Sequence, residues 1–368
     1  MEMVYQIDKS ILEKIPMEKL KVAVIGCGRI ARSQHIPAYA KNPLSELKYL
    51  VDIKPERAIE LAGQYNVPHA ITDFREILGD REVEAVSICT PNDTHAPIAI
   101  ACLEAGKQVL CEKPASVDIE LVNKMKAAAD RNGRILNIGV VNRFNTAVNR
   151  IKEMIEEGEL GRVYHIYCSF RSHRSIPGLG GAFTTKANSG GGVLIDWGVH
   201  FLDLIFYSIG QPKVLTVSGQ THSVLGKEME DYAFLDMWAG PPDYSGTYDV
   251  EDFVTGLIRT TGPTISLNGA WAQNIGETAM FIEFLGDKAG IKLEYGGDFT
   301  VYSAKKGALY EISPSFQKSD MFYDEIDSFL RSARENIKNR ANIDQVIVTS
   351  AVMEALYQSA QLGKEVHL

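Results

Sequence analysis

One stretch constrains the fold more than any other: Lys21-Val22-Ala23-Val24-Ile25-Gly26-Cys27-Gly28-Arg29-Ile30-Ala31. Its first half is a nearly continuous apolar run, the pattern of a strand buried on both faces of a parallel sheet. Its second half reads Gly-x-Gly-x-x-Ala, with that strand before it and a helical pattern over 30–40 after it. The first glycine permits a tight turn, the second admits a pyrophosphate against the backbone, and the small third residue lets helix and strand pack closely. Amides at the helix start, those of Arg29 and Ile30 among them, are then placed to bind phosphate.

A second strand over 46–52 ends in Asp52, at the expected distance to accept hydrogen bonds from both hydroxyls of an adenosine ribose. Its charge repels a 2′-phosphate, so NAD is preferred; Lys54 and Arg57 nearby keep NADP open. Strands near 69–72, 84–90, 108–111 and 134–140 alternate with helices over 55–65, 73–79, 94–105 and 117–132. This alternation predicts an α/β fold with a doubly wound parallel sheet over 21–145, following an N-terminal extension of residues 1–20. Ligand is expected at the carboxyl ends of the strands, where two polar loops emerge. Thr90 and Asn92 reach from the first, and His95 follows them, either toward the cofactor or as a structural residue of the helical turn. Glu112-Lys113-Pro114 forms the second, and proline fixes the turn that delivers Lys113.

A second domain is expected over 146–368. After a strand at 162–170 and an irregular stretch to 192, a helix is predicted over 194–209. Strand candidates follow near 213–224, 232–238, 251–260, 263–273, 278–285 and 290–303, then helices over 320–337 and 343–362. Consecutive strands without helices between them imply a large open, mostly antiparallel sheet. The last helices are free to pack back on the first domain. The glycine run Gly190-Gly191-Gly192 opens the helix on which Asp196, His200 and Asp203 share a face. A carboxylate beside an imidazole handles protons. The same spacing also suits a satisfied histidine between two solvated aspartates, and spacing alone leaves both readings open.

Composition narrows the partners. The chain has 368 residues, a formal net charge of -9 and 45% hydrophobic residues, which argues for a soluble two-domain protein and against nucleic acid or an anionic membrane. Five scattered cysteines without a Cys-x-x-Cys pattern read as reduced core residues of a cytoplasmic protein. No apolar run is long enough to span a bilayer, and residues 1–20 do not form a signal-peptide core. Asp196 and His200 lack a third ligand, so no metal is expected.

Taken in order, Gly26-x-Gly28-x-x-Ala31, Glu112-Lys113-Pro114 and Gly190-Gly191-Gly192-x-Leu194-x-Asp196-x-Gly198-x-His200-x-x-Asp203 resemble the glucose-fructose oxidoreductase / inositol dehydrogenase / rhizopine-catabolism (Gfo/Idh/MocA) family from residue 20 to the end. The resemblance implies a Rossmann domain joined to an α/β domain whose open sheet forms a homo-oligomer interface. It implies hydride transfer between a sugar or cyclitol hydroxyl and NAD(P), with Lys113, Asp196 and His200 as the catalytic trio. Gly26, Gly28, Asp52, Thr90, Asn92, Glu112 and Lys113 would lie along the cofactor, and Asn142-Arg143-Phe144 matches another recurrent stretch at the cleft. The stretch 170–178 and Gly269-Ala270-Trp271-Ala272-Gln273-Asn274 are similar to members that oxidise the C3 hydroxyl of glucosides.

On this reading His200 takes the hydroxyl proton, Asp196 orients it or binds a neighbouring hydroxyl, and Lys113 holds the oxygen. Arg143, Arg171, His173, Arg174, Lys186, Asn188, Trp197, Trp271, Gln273 and Asn274 are candidate lining for a neutral sugar. Each arginine equally suits a salt bridge with the excess acids. Two rival functions remain: a glycosidase that keeps its NAD and oxidises transiently, and a non-catalytic dinucleotide sensor.

Overall fold

The computed structural model describes residues 18–368; of the expected extension, residues 1–17 lie outside them. The chain enters β1 (Leu20–Ile25), whose alternate residues belong to two different cores: Ala23 and Ile25 pack on one face, Val22 and Val24 on the other. Burial on both faces is why this strand is continuously apolar. A π turn (Ala31–His35) leads into α1 (Ile36–Lys41), followed by β2 (Ser45–Val51), α2 (Pro55–Tyr65), β3 (His69–Ile71), α3 (Arg75–Leu78), β4 (Val83–Ile88), α4 (Asn92–Glu104), β5 (Gln108–Glu112), α5 (Ile119–Asn132) and β6 (Leu136–Gly139). The six strands are all parallel in the order β3-β2-β1-β4-β5-β6. The order reverses between β1 and β4. At that point the connections leave to opposite sides and open a crevice at the strand ends.

Then come α6 (Thr146–Glu156), β7 (Val163–Arg171), α7 (Lys186–Ser189), a π turn (Leu194–Gly198) running directly into α8 (Val199–Ser208), and β8 (Val214–His222). They continue with β9 (Phe253–Thr260), β10 (Thr264–Ala270), β11 (Ala279–Gly286), β12 (Ala289–Glu294), β13 (Phe299–Lys305), β14 (Ala308–Ile312), α9 (Met321–Glu335), α10 (Ile343–Leu362) and β15 (Val366–His367). The nine strands β14-β13-β12-β11-β7-β10-β9-β8-β15 form one sheet, antiparallel except for the β7/β10 pair. Along β7, Ile166, Cys168 and Phe170 are buried while Tyr167 is exposed. No helix among the described residues is long and apolar enough to cross a membrane.

The C-terminal helices join the two sheets. On α9, Ile326, Phe329, Leu330 and Ala333 pack into the β1 core. On α10, Ile343 and Val346 pack into the first domain's other core, and Val352, Met353 and Leu356 into the second domain.

Two strand expectations need correction. Residues 232–238 form no strand: between β8 and β9 the only regular element is a 3-10 turn at Met229–Asp231. The apolar residues there pack one at a time, Tyr232 and Met237 inward, while Leu235 stays fully exposed. The strand expected over 290–303 is two strands, β12 and β13, folded at Gly296, whose φ of 73° suits the hairpin turn. Helices α6 and α7 and strands β14 and β15 fall outside the elements expected from the sequence.

Glu325 on α9 is buried at 1% exposure and its Oε1 has no hydrogen-bond partner among the described residues. Burial, reinforced by the charges of Glu112 and Asp203, raises its pKa well above the carboxylate range, so the folded state holds it protonated. A raised folded pKa gives stability that is complete below the unfolded value and is lost as pH rises. Glu325→Gln is therefore expected to melt above wild type, by a margin that widens from pH 5 to pH 8. A margin equal at both pH values in thermal denaturation would show that Glu325 is ionised in the fold.

Candidate active site

A cavity of about 1580 Å³ opens at the carboxyl ends of β1, β2, β4 and β5 and reaches the start of α8. This exceeds the roughly 300–1,000 Å³ usual for a single small ligand and suits two occupants. Gly26 turns the chain out of β1 with φ of 91°, and a Cβ there would stand 2.6 Å from the Cys89 carbonyl oxygen, so no other residue fits. A Cβ on Gly28 would meet nothing within 4 Å, so the missing side chain leaves space on the cavity wall. The first helical bond runs from the Arg32 N–H to the Gly28 oxygen, and the amides before it have no partner within the helix. Asp52 is held at the cavity edge by the Cys27 and Lys54 amides, each 2.8 Å from one of its oxygens. Open wall, free amides and a fixed carboxylate together fit a dinucleotide.

Asn92 lines the cavity, and its side-chain amide donates to the Ser189 carbonyl at 2.9 Å, tying the first domain to the glycine run. Both ring nitrogens of His95 face carbonyls, those of Pro114 and Thr90, at 2.8 Å each. His95 thus braces the loops after β4 and β5, the structural role among the two alternatives, and does so from the cavity lining. Glu112 is buried with its Oε1 2.7 Å from His35 Nε2, and its Oε2 accepts the Lys113 N–H at 3.1 Å. Burial works against its charge, but His35 and Lys113 outweigh burial and hold the carboxyl below its usual range. His35, whose Nδ1 meets Ser87 Oγ at 2.8 Å, was missed in the sequence because no local pattern sets a helical histidine against a residue 77 positions on.

The turn delivers Lys113 Nζ to 3.6 Å from Asp196 Oδ1 and 3.2 Å from the Asp196 carbonyl. Trp271 donates its indole N–H to Asp196 Oδ2 at 3.3 Å. Burial raises the Asp196 pKa, against the opposing effects of Lys113 and Trp271. Burial, aided by Lys113, pushes His200 well below 6.5, so its imidazole is neutral. Asn142 Nδ2 lies 3.4 Å from His200 Nδ1 and 3.2 Å from Tyr295 Oη. That amide can present an N–H or an oxygen to the ring, and its choice selects the tautomer.

The helix bearing these groups is fixed at its start. Glu251 accepts the Gly192 and Leu194 amides at 2.9 and 3.0 Å and the Tyr357 hydroxyl at 2.9 Å. Gly192 is required because a Cβ would lie 1.8 Å from the Glu251 carbonyl oxygen.

Several expected site residues stand elsewhere. Asp196 makes no hydrogen bond to His200: the π turn Leu194–Gly198 breaks the 3.6-residue phase, and its partners are Lys113 and Trp271, which directly follow β5 and β10. Asp203 does not face the cleft but is buried in a two-pronged pair with Arg143, at 2.8 and 2.7 Å. Arg143, fully buried, also donates to the Arg340 and Gln345 carbonyls, so it is a structural cation and not a sugar ligand. Trp271 is fully buried and presents no platform. His173 is exposed outside the cavity. Arg174 staples its own loop through the His173 and Gln273 carbonyls and Asn274 Oδ1. Trp197 packs against the core. Of the candidate lining, Asn188 borders the cavity, as does Asn142. The aromatic surface comes from Phe74, Phe183, Trp238, Tyr295 and Phe322, which carried no motif.

Residues 20–140 match the oxidoreductase family with NAD-binding Rossmann fold, and residues 148–292 the GFO/IDH/MocA C-terminal domain. The chain belongs to the Gfo/Idh/MocA oxidoreductase family. It is 30% identical over 352 residues, 95% of this chain and 97% of that protein, to a D-glucoside 3-dehydrogenase of Escherichia coli K12. A myo-inositol 2-dehydrogenase of Thermotoga maritima is 28% identical over 52% of this chain and 55% of its own. Levoglucosan dehydrogenase in complex with NADH and levoglucosan superposes with a TM-score of 0.82 at 22% identity, covering 95% of this chain and 99% of that one. The chain is thus an enzyme of a sugar and cyclitol oxidoreductase family with a nicotinamide-binding domain.

Removing Arg143 would leave Asp203 buried and unpaired, a change that typically costs about 3–5 kcal/mol. Arg143→Ala is expected to lose stability of that order in denaturant titration. Unchanged stability combined with weaker sugar binding would return Arg143 to the substrate site.

Proposed function

We propose that this enzyme is an NAD-dependent dehydrogenase that oxidises a secondary ring hydroxyl of a neutral sugar, glycoside or cyclitol, with C3 of a hexose or its glucoside as the preferred position. The observation that carries the reading is the approach of the Lys113 ammonium to Asp196, near a neutral His200, in the cavity that Gly28 and Asp52 also border. The D-glucoside 3-dehydrogenase relative supports the position oxidised.

His200 is the general base. When Asn142 turns its amide oxygen toward Nδ1, that nitrogen keeps its hydrogen and Nε2 is free to accept the hydroxyl proton. Lys113 donates a hydrogen bond to the same oxygen and stabilises negative charge as it develops. Asp196, fixed by Trp271, holds the ammonium in place and accepts from a neighbouring hydroxyl. A bound nicotinamide supplies the acceptor for the hydride. Asp52 favours NAD over NADP, since a carboxylate already held by two amides cannot swing away from a 2′-phosphate. Within the same reading the enzyme divides at residues 145/146 and is a cytoplasmic homo-oligomer. Its five buried free thiols and the exposed Tyr167 and Leu215 support that location and assembly.

Glucose, a glucoside, 3-deoxyglucose and glucose 6-phosphate, each with NAD and with NADP, are the substrates that test the reading by absorbance of the reduced cofactor. Stoichiometric NADH from the first two is expected, with the 3-deoxy sugar disfavoured by as much as ~10⁴. Oxidation of the deoxy sugar would exclude C3, preference for the phosphate would indicate an anion site, and glucoside cleavage without NADH release would indicate a hydrolase.

Because His200 is already neutral at pH 6.5, kcat/KM is expected to stay level from pH 8 down to 6.5 and to fall only below that. His200→Ala should lose about 10²–10⁴ in turnover and still bind NADH. Near-normal turnover in this variant would move the base elsewhere.

A further inference from the structure

The mechanism makes no use of the segment between β8 and β9, yet this segment reaches the cavity mouth. Trp238, 45% exposed, lies beneath the Arg29 guanidinium with its ring centroid 4.9 Å from the guanidinium carbon, and its carbonyl accepts from Arg29 Nη1 at 3.4 Å. Arg29 sits in the glycine-rich turn of the first domain, immediately after Gly28, and Trp238 belongs to the second domain. Phe183 packs edge-on against the indole with ring centroids 4.9 Å apart. All three side chains border the cavity.

The indole is not on a loose tip. Met237 before it is buried in the second domain's core, and the Ala239 amide after it donates to the Pro177 carbonyl at 2.9 Å. Trp238 is therefore a post fixed at both flanks, and its partner is the exposed Arg29 side chain. The two close a bridge between domains beside the open wall at Gly28, where the pyrophosphate reading places the phosphates.

We propose that Trp238, backed by Phe183, is a cofactor-retaining residue: its bridge to Arg29 closes over the dinucleotide and must open before the dinucleotide leaves. The inference rests on reading this cavity as a nicotinamide dinucleotide site. A fixed indole costs little ordering entropy on closure, and the guanidinium can serve the ring face and a phosphate at once. Cofactor then exchanges slowly relative to sugar.

The test is the dissociation rate of NADH, followed by its own fluorescence after stopped-flow displacement with excess NAD, in wild type, Trp238→Ala, Trp238→Phe, Arg29→Ala and the Arg29/Trp238 double alanine variant. Loss of a cation–π contact of ordinary strength corresponds to about a two- to thirty-fold faster release. That acceleration is expected in Trp238→Ala and reversed in Trp238→Phe. The double variant should release NADH more slowly than the product of the two single effects, because the residues act as one bridge. Equal release from wild type and Trp238→Ala, or single effects that simply multiply, would overturn the bridge. Wild type that binds no NADH would overturn the dinucleotide reading beneath it.

Discussion

The contact between Lys113 and Asp196 joins two sheets that share no strand. Lys113 leaves the end of β5, Asp196 lies in the turn ahead of α8, and neither group is more than one-fifth exposed. Two charges taken out of water at this junction are tolerated only with further partners. Asp196 has the Trp271 indole, and Lys113 has the Asp196 carbonyl as well as its carboxylate. Glu112 beneath Lys113 is paired in turn with His35, so the turn presenting the ammonium rests on a second buried pair. The geometry of the candidate site depends on this stack, and the stack is complete only when both domains are docked.

Burial acts on the two neighbours in opposite directions. It disfavours charge on each, which raises the Asp196 carboxyl and lowers the His200 imidazole. The positive charge of Lys113 then acts on them differently, because it opposes the effect of burial on the carboxyl and adds to it on the imidazole. One desolvated pocket with one ammonium thus biases a carboxyl and an imidazole in opposite senses side by side, the arrangement that the proposed mechanism uses.

Docking itself is maintained away from the chemistry. The C-terminal helices α9 and α10 bury apolar residues in the first domain after the chain has completed the second, and α10 has a foot in each core. The Arg143–Asp203 pair, close to the site in sequence, belongs to this scaffold: it fixes α8 against the start of α10 through the Gln345 carbonyl. Hydrophobic burial over two helices holds the domains together, so the polar groups at the site are free to face ligand.

The parallel sheet was legible in the sequence because a strand buried on both faces must be continuously apolar, and because only glycine can occupy Gly26 where the chain turns against Cys89. Asp52, Lys113, Asp196 and His200 were legible because strand ends, a proline-fixed turn and a helix start place them locally. Partners were not. The sequence put Asp196 beside His200 on a regular helix, and the π turn broke that phase; it put Arg143 and Trp271 at the sugar, and the fold buried both under Asp203 and Asp196. His35, Trp238, Tyr295 and Glu251 had no signal, because each acts on a residue dozens of positions away. Local sequence specifies conformation through sterics and hydrogen bonding within a few residues. Which charge meets which is decided only when two domains close and water leaves between them.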